Sequence, residues 1–241
     1  MLVLALDSST RTGSIALARD RQLLEARAGD AAIRHAVRLP GDLVDLLASH
    51  GLVLGDVDLL AAAAGPGGFT GLRVGLATVQ GLALALERRV VVMSTLDLLG
   101  LAGRQATPDA AWIGAWMHGM RGEVFTALYR PDGSGSGVVP VVDAFVGTPE
   151  DAAGTWRAAG PDSRITVVGD GWPDAGASLL ARFGDRLDPR PVPLLAEVLA
   201  LEAGRRATDA VGPAAVRPAY VRRPDAVLTR LQAGLPVSGD V

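Results

Sequence analysis

Residues Gly65 to Glu87 read GPGGFTGLRVGLATVQGLALALE, and this stretch decides the fold. The turn Gly65-Pro66-Gly67-Gly68 opens straight into a long helical segment. Just upstream, Leu59-Leu60-Ala61-Ala62-Ala63-Ala64 is a short apolar run suited to a buried strand. Just downstream, Arg89-Val90-Val91-Val92-Met93 is another. Strand, glycine turn, helix and strand make a βαβ unit. Between Val74 and Leu86 only Thr78 and Gln80 are polar. A helix without a wide polar face is expected to be buried on every side. One side covers its own sheet; the other needs a second cover, from this chain or from another.

Working outward, Leu2 to Leu6 reads as a strand ending at the polar turn Asp7-Ser8-Ser9-Thr10. Gly13 to Ala18 and Gln22 to Ala28 read as two more strands, and their tight connections imply antiparallel pairing. Ala31 to His50 has helical spacing, with Val37, Leu43, Leu46 and Leu47 able to share a face. Pro40-Gly41 means that this helix either kinks there or begins there. Gly51 is a fitting stop. The first half is therefore βββαβα, followed by the strand at Val90.

The second half repeats that order without repeating the sequence. Thr107-Pro108-Asp109 reads as a linker. Strands follow at Trp112 to Met117, Glu123 to Tyr129 and Val138 to Val146, with a Gly/Ser loop at 131–137. Then come a helix around Glu150 to Ala159, the strand Ile165 to Val168, and helices at Ala175 to Phe183 and Pro193 to Ala207. The expected fold class is α/β with a duplicated βββαβα plan. It divides into an N-terminal lobe at 1–106, a C-terminal lobe at 107–210 and a tail at 211–241. The tail is rich in arginine and proline (RPAYVRRPDAV), and its closing residues GLPVSGDV look loose.

Composition narrows the chemistry. The chain of 241 residues is 49% hydrophobic but 4% aromatic, so its core must be built from Ala, Val and Leu. It has no cysteine, which excludes disulfides, thiolate nucleophiles and thiolate metal sites. All 23 basic residues are arginine, so no P-loop lysine and no Schiff base is available. A net charge of -3 gives no reason to expect autonomous nucleic-acid binding. The opening MLVLALDSST has no basic leader before its apolar run and reads as a strand rather than a signal peptide. No apolar run is long enough to span a membrane. The expectation is a cytoplasmic protein.

Two βββαβα halves resemble the actin/Hsp70/sugar-kinase superfamily (the ASKHA fold), in which a nucleotide lies in the cleft between two lobes. That resemblance places Asp7, Ser8, Ser9 and Thr10 where the first hairpin turn meets phosphates. Short polar side chains and exposed N–H groups can hold phosphate oxygens there, and Asp7 can orient a magnesium-bound water. The other reading is that this turn only caps a strand. The glycine turn has neither the P-loop lysine nor a full G-x-G-x-x-G, since Thr70 stands at the last glycine position. Gly67 and Gly68 either offer N–H groups to an anion or simply allow a sharp turn and close helix approach.

Three segments together resemble the bacterial TsaB (YeaZ) family: ALDSST at the N-terminus, GPGGFTGLRVGLATVQGLALAL in the middle and PAYVRR near the end. The middle one is the most specific. The likeness is strongest over residues 1 to about 105. It implies a subunit of the machinery that makes threonylcarbamoyladenosine beside the anticodon of tRNAs reading ANN codons. In that family the chain is the non-catalytic partner of a TsaD-type catalytic subunit. The complex also holds a TsaE-type ATPase subunit and uses ATP and magnesium that this chain itself does not require, and this chain meets tRNA only indirectly. TsaD-type proteins bind their metal with His-His-x-x-x-His after the strand that follows the long helix. Here Thr95 and Leu99 occupy the two spaced histidine positions, so no metal site and no catalytic residue is expected. The resemblance makes the helices at about Ala31 to His50 and Gly71 to Glu87 the docking face for that partner, or for a second copy in a homodimer. Leu39, Leu43, Leu46, Val74, Thr78 and Leu82 are the expected contacts.

Three further clusters carry weaker signals. Arg121-Gly122-Glu123, after Trp116 and His118, reads as a strand connection that can line the cleft. Gly169-Asp170-Gly171 is placed like a second phosphate turn, though it is also an ordinary turn sequence. Arg217, Arg222 and Arg223 form the one basic cluster and read as surface structure. The competing enzyme reading, an ATP-dependent phosphotransferase of the sugar-kinase type, needs a cleft acid, for which Asp7 is the only candidate. A peptidase reading finds no thiol, no metal motif and no outstanding Ser/His spacing.

Overall fold

The computed structural model describes residues 1–221, so Arg222, Arg223 and the closing GLPVSGDV lie outside the described residues. The first lobe is built from β1 (Leu2–Asp7), β2 (Ser14–Arg19), β3 (Gln22–Ala28), α1 (His35–Ala48), β4 (Leu59–Ala63), α2 (Phe69–Ala85), β5 (Val90–Met93) and α3 (Thr95–Ala106). Its sheet runs β3-β2-β1-β4-β5. The β1–β2 and β2–β3 pairs are antiparallel, while β1–β4 and β4–β5 are parallel. β1 and β4 are buried along their whole length because helices cover both faces of the sheet.

The second lobe repeats the plan with β6 (Trp112–His118), β7 (Val124–Pro131), β8 (Val138–Gly147), α4 (Pro149–Ala158), β9 (Ile165–Val168), α5 (Trp172–Ala175), α6 (Ala177–Phe183), β10 (Leu187–Arg190) and α7 (Leu195–Arg205). Its sheet order is β10-β9-β6-β7-β8, the same arrangement as the first. The duplication expected from element order is present. The sequence reading missed α3 and β10, and the helix expected over 175–183 is α6, preceded by the short α5.

The lobes exchange their last helices. α3 packs on the second sheet and α7 on the first, and the two helices touch between them. One apolar core therefore runs from Val3 and Ala61 through Leu98 and Leu199 to Ile113 and Ala127. Two outer cores flank it, one under α1 and α2, the other under α4 and α6. The expected lobe boundary at 106/107 falls at the end of a helix that covers the opposite sheet.

Residues 210–220, expected as part of a separate tail, strap the first lobe. Val211 bridges Val90, and Arg89 Nε donates to Ala210 O at 2.8 Å. Gln80 on α2 donates to Pro213 O and Val216 O, both at 3.2 Å. Ala219 N–H reaches Ala64 O at 2.8 Å. α2 thus rests on its sheet with α1 on one flank and the strap on the other. α1 runs through Pro40 rather than starting there. Pro40 is the sixth residue of α1, so the helix goes without the bond that an N–H there would make to Ala36 O, and Gly51 ends the segment in the left-handed region at φ +67°.

Candidate functional site

Two features stand out: the cleft between the lobes and the outer face of α1 and α2. In the cleft the turn after β1 and the turn before α2 meet. Asp7 Oδ1 accepts from Ser9 N–H at 2.9 Å and from Ser9 Oγ at 2.6 Å. The carboxyl is almost wholly enclosed, and burial pushes its pKa up against the pull of Ser9 and His35. Asp7 Oδ1 therefore holds its own turn together. Thr10 Oγ1 accepts from Gly13 N–H at 3.0 Å. Gly68 N–H donates to Ser9 O at 2.8 Å, and a Cβ on Gly67 would stand 2.3 Å from that same oxygen. The close-approach reading of the glycine turn is the one the geometry carries.

A cavity of about 780 Å3 opens beyond these turns. The first lobe lines it with Ser8, Ser9, Thr10, Gly67 and Gly68, the second with His118, Met120 and Asp170. The connection His118 to Glu123 joins β6 to β7 with Arg121 at φ +65°, so its first residues do reach the cleft. Trp116 does not: it is buried against Trp156 in an edge-to-face pair, centroids 5.2 Å apart. Gly169 and Gly171 let the end of β9 press on β6, and Asp170 between them accepts from His118 N–H at 2.9 Å.

Sequence reasoning missed His35 and Arg38, which pin α1 to the cleft. Arg38 Nη2 donates to Thr12 O at 2.5 Å and to His35 Nδ1 at 2.9 Å, and Nη1 meets Asp42 at 2.5 Å. With Nδ1 accepting, His35 Nε2–H donates to Thr10 O at 3.1 Å. The spacing Arg38, Asp42 is an i, i+4 pair legible in sequence; the reach to Thr12 is not. Thr95 and Leu99, at the histidine positions of the TsaD-type pattern, are fully buried in the core between the lobes. Among the described residues no three His, Asp or Glu side chains gather as a metal site.

The outer face corrects the expected contact list. Leu39, Leu43 and Leu46 are at most 2% exposed and belong to the core under α1, so they cannot meet a partner. They point inward because positions 39, 43, 46 and 47 form one stripe, and Val37 lies on the opposite side. Val74, Thr78 and Leu82 are half-buried, and Thr78 Oγ donates to Val74 O at 2.8 Å. Among the residues open to solvent are Val37 (73%), Val44 and Asp45 on α1, and Arg73, Ala77, Gly81 and Leu84 (72%) on α2. At the start of α2, Tyr220 of the strap stacks on Phe69 with centroids 6.0 Å apart and accepts from Arg73 Nε at 3.0 Å. Arg217 donates to Ala214 O and Val216 O.

Over 201 residues the chain is 31% identical to the tRNA threonylcarbamoyladenosine biosynthesis protein TsaB of Escherichia coli, an alignment covering 78% of this chain and 82% of that protein. The chain belongs to the TsaB family. A family model described as TsaD: tRNA N6-adenosine threonylcarbamoyltransferase matches residues 29–147. A crystal structure from Pseudomonas aeruginosa, of an uncharacterized protein with similarity to the peptidase YeaZ, superposes with a TM-score of 0.77 at 31% identity. It covers 92% of this chain and 99% of that one. At 10% identity, the activator of 2-hydroxyisocaproyl-CoA dehydratase from Clostridium difficile shares 87% of this TsaB-family chain with a TM-score of 0.52, a likeness of fold alone. No helix among the described residues is long and apolar enough to cross a membrane.

Proposed function

We propose that this chain is a non-catalytic subunit in cytoplasmic tRNA threonylcarbamoyladenosine biosynthesis, docking a TsaD-type catalytic paralogue through the outer face of α1 and α2. The observation that carries this is the exposure of apolar residues on both helices, Val37 and Val44 on α1 and Ala77, Gly81 and Leu84 on α2. Small residues let a partner's helices approach closely, and branched side chains beside them supply apolar area. The enclosed Asp7 and the buried Thr95 and Leu99 support a supporting rather than a chemical role. The TsaE-type ATPase subunit and tRNA join through the paralogue. A homodimer uses the same face when the paralogue is absent.

The test is a titration of the purified chain with the paralogue carrying the His-His-x-x-x-His motif. We expect the double variant Val37→Glu/Leu84→Arg, whose sites are exposed, to fold normally and lose association by about a hundredfold. Unchanged association would remove the proposal.

A further inference from the structure

We propose that a second copy of this chain docks on the outer face of α1 and α2 about a two-fold axis perpendicular to both helices. Arg73 of each copy then receives Asp45 of the other. This rests on the docking face of the proposed function and adds its axis, register and ion pair. Among the residues that α1 and α2 expose, Arg73 and Asp45 are the only charged ones. Neither forms an ion pair among the described residues, and Arg27, which feels the Asp45 charge, is paired with Glu25 at 2.6 Å. Arg73 is also prepared for a carboxylate. Its guanidinium lies 3.9 Å over the Phe69 ring, and Nε donates to Tyr220 Oη at 3.0 Å. Both Nη groups are left without a partner among the described residues. They lie in a fixed plane that suits two parallel bonds to one carboxylate.

The register follows from how the two helices lie. An added Cβ on Gly71 would stand 3.1 Å from His35 Cδ2, so α1 and α2 are level at these residues. Both run away from the cleft, and beyond their far ends Arg88 Nε donates to Val57 O at 2.7 Å. From that level Arg73 lies about 3 Å along the helices and Asp45 about 15 Å. The midpoint, about 9 Å along, falls at Ala77 on α2 and at Gly41 on α1. A two-fold axis there exchanges the ends, so the cation of each copy meets the anion of the other in two equivalent pairs. The same operation sets Val37 opposite the other copy's Gly81. An added Cβ on Gly41 or Gly81 would meet nothing within 4 Å. The surface is therefore low along the axis, and the helices of the two copies can close on it.

Sedimentation equilibrium of the purified full chain and its charge variants tests it. We expect the parent to dimerise, and Arg73→Glu and Asp45→Arg each to weaken self-association by about tenfold or more. Each single variant sets like charges against each other twice in the dimer. An equal mixture of the two variants should associate as tightly as the parent, since both pairs are then complementary between copies. Melting curves establish that the variants, both at exposed sites, fold as the parent does. A mixture no tighter than the single variants overturns the inference. So does either variant that dimerises like the parent, or a parent that stays monomeric at about 100 μM. If Leu84→Arg dissociates the dimer while the charge variants do not, the face stands and the pairing falls. If the paralogue binds a parent that is monomeric alone, the docking proposal stands and this one falls.

Discussion

The two lobes follow one plan but turn different surfaces to solvent. α1 and α2 expose Val37, Val44 and Leu84 with Ala77 and Gly81 beside only two charges, Asp45 and Arg73, whereas α4 and α6 expose Leu180 among Glu150, Asp151, Arg157 and Arg182. The inward sides are alike: Leu39, Leu43 and Leu46 under one pair, Trp156, Leu179 and Phe183 under the other. Packing on a sheet dictates the inward residues in both lobes and leaves the outward ones free. The more apolar outward face of the first lobe is what the docking proposal requires and what packing on the sheet does not. The sharpest way to break this comparison is to place the same charge on both. Leu84→Arg should weaken paralogue binding by about tenfold, and Leu180→Arg should leave it unchanged. Equal effects in a pull-down or titration would show that the apolar strip has no special standing.

A second comparison concerns the glycine after the central parallel strand of each lobe. Gly65 follows β4 at φ +105° and Gly169 follows β9 at φ +151°. A Cβ on Gly169 would stand 2.0 Å from the backbone oxygen of Trp116, while on Gly65 it would meet the Leu72 side chain at 2.8 Å. A side chain can turn aside; a paired strand carbonyl cannot. Gly169→Ala is thus expected to destabilise the fold by about 3 kcal/mol or more, and Gly65→Ala by about 1–2 kcal/mol. Melting curves of the two variants measure the order, and a reversed order would place the rigid point in the first lobe.

Much of this fold was legible because periodicity reports burial directly. The apolar runs at Leu2, Leu59, Val90 and Ile165 are strands, and the glycine turn does open α2. The two misses share a cause. α3 carries two glycines, Gly100 and Gly103, within twelve residues, which weakens the helix signal of Thr95 to Ala106. β10 is four residues with proline inside it, a poor strand signal held in place by pairing with β9. In the site, the sequence brought the right turns together but assigned their polar groups outward. Whether Asp7 faces a ligand or its own turn depends on Ser9, two residues away, and on how closely Gly67 lets α2 approach. Likewise Leu39 and Val37 are both apolar on one helix; only the position of the sheet tells which is covered.

The smallest effect concerns the ends of the two matching central strands, where Asp7 is enclosed and His118 is exposed. Burial raises the Asp7 pKa above its ordinary value of 3.8. Below that value the carboxyl is protonated in both folded and unfolded chains and contributes no pH dependence. As the pH rises past it, the unfolded chain releases the proton first, so stability falls until the folded carboxyl has ionised as well. Asp7→Asn keeps an Oδ1 that can accept from Ser9 N–H and Oγ while removing the charge. It should therefore be more stable than the parent at neutral pH, with the advantage shrinking toward pH 4. Denaturant midpoints for both proteins across that range decide it. An advantage that stays constant with pH would mean that the enclosed carboxyl titrates alike in both states, and the distinction between a sealed first-lobe turn and an open second-lobe one would lose its electrostatic basis.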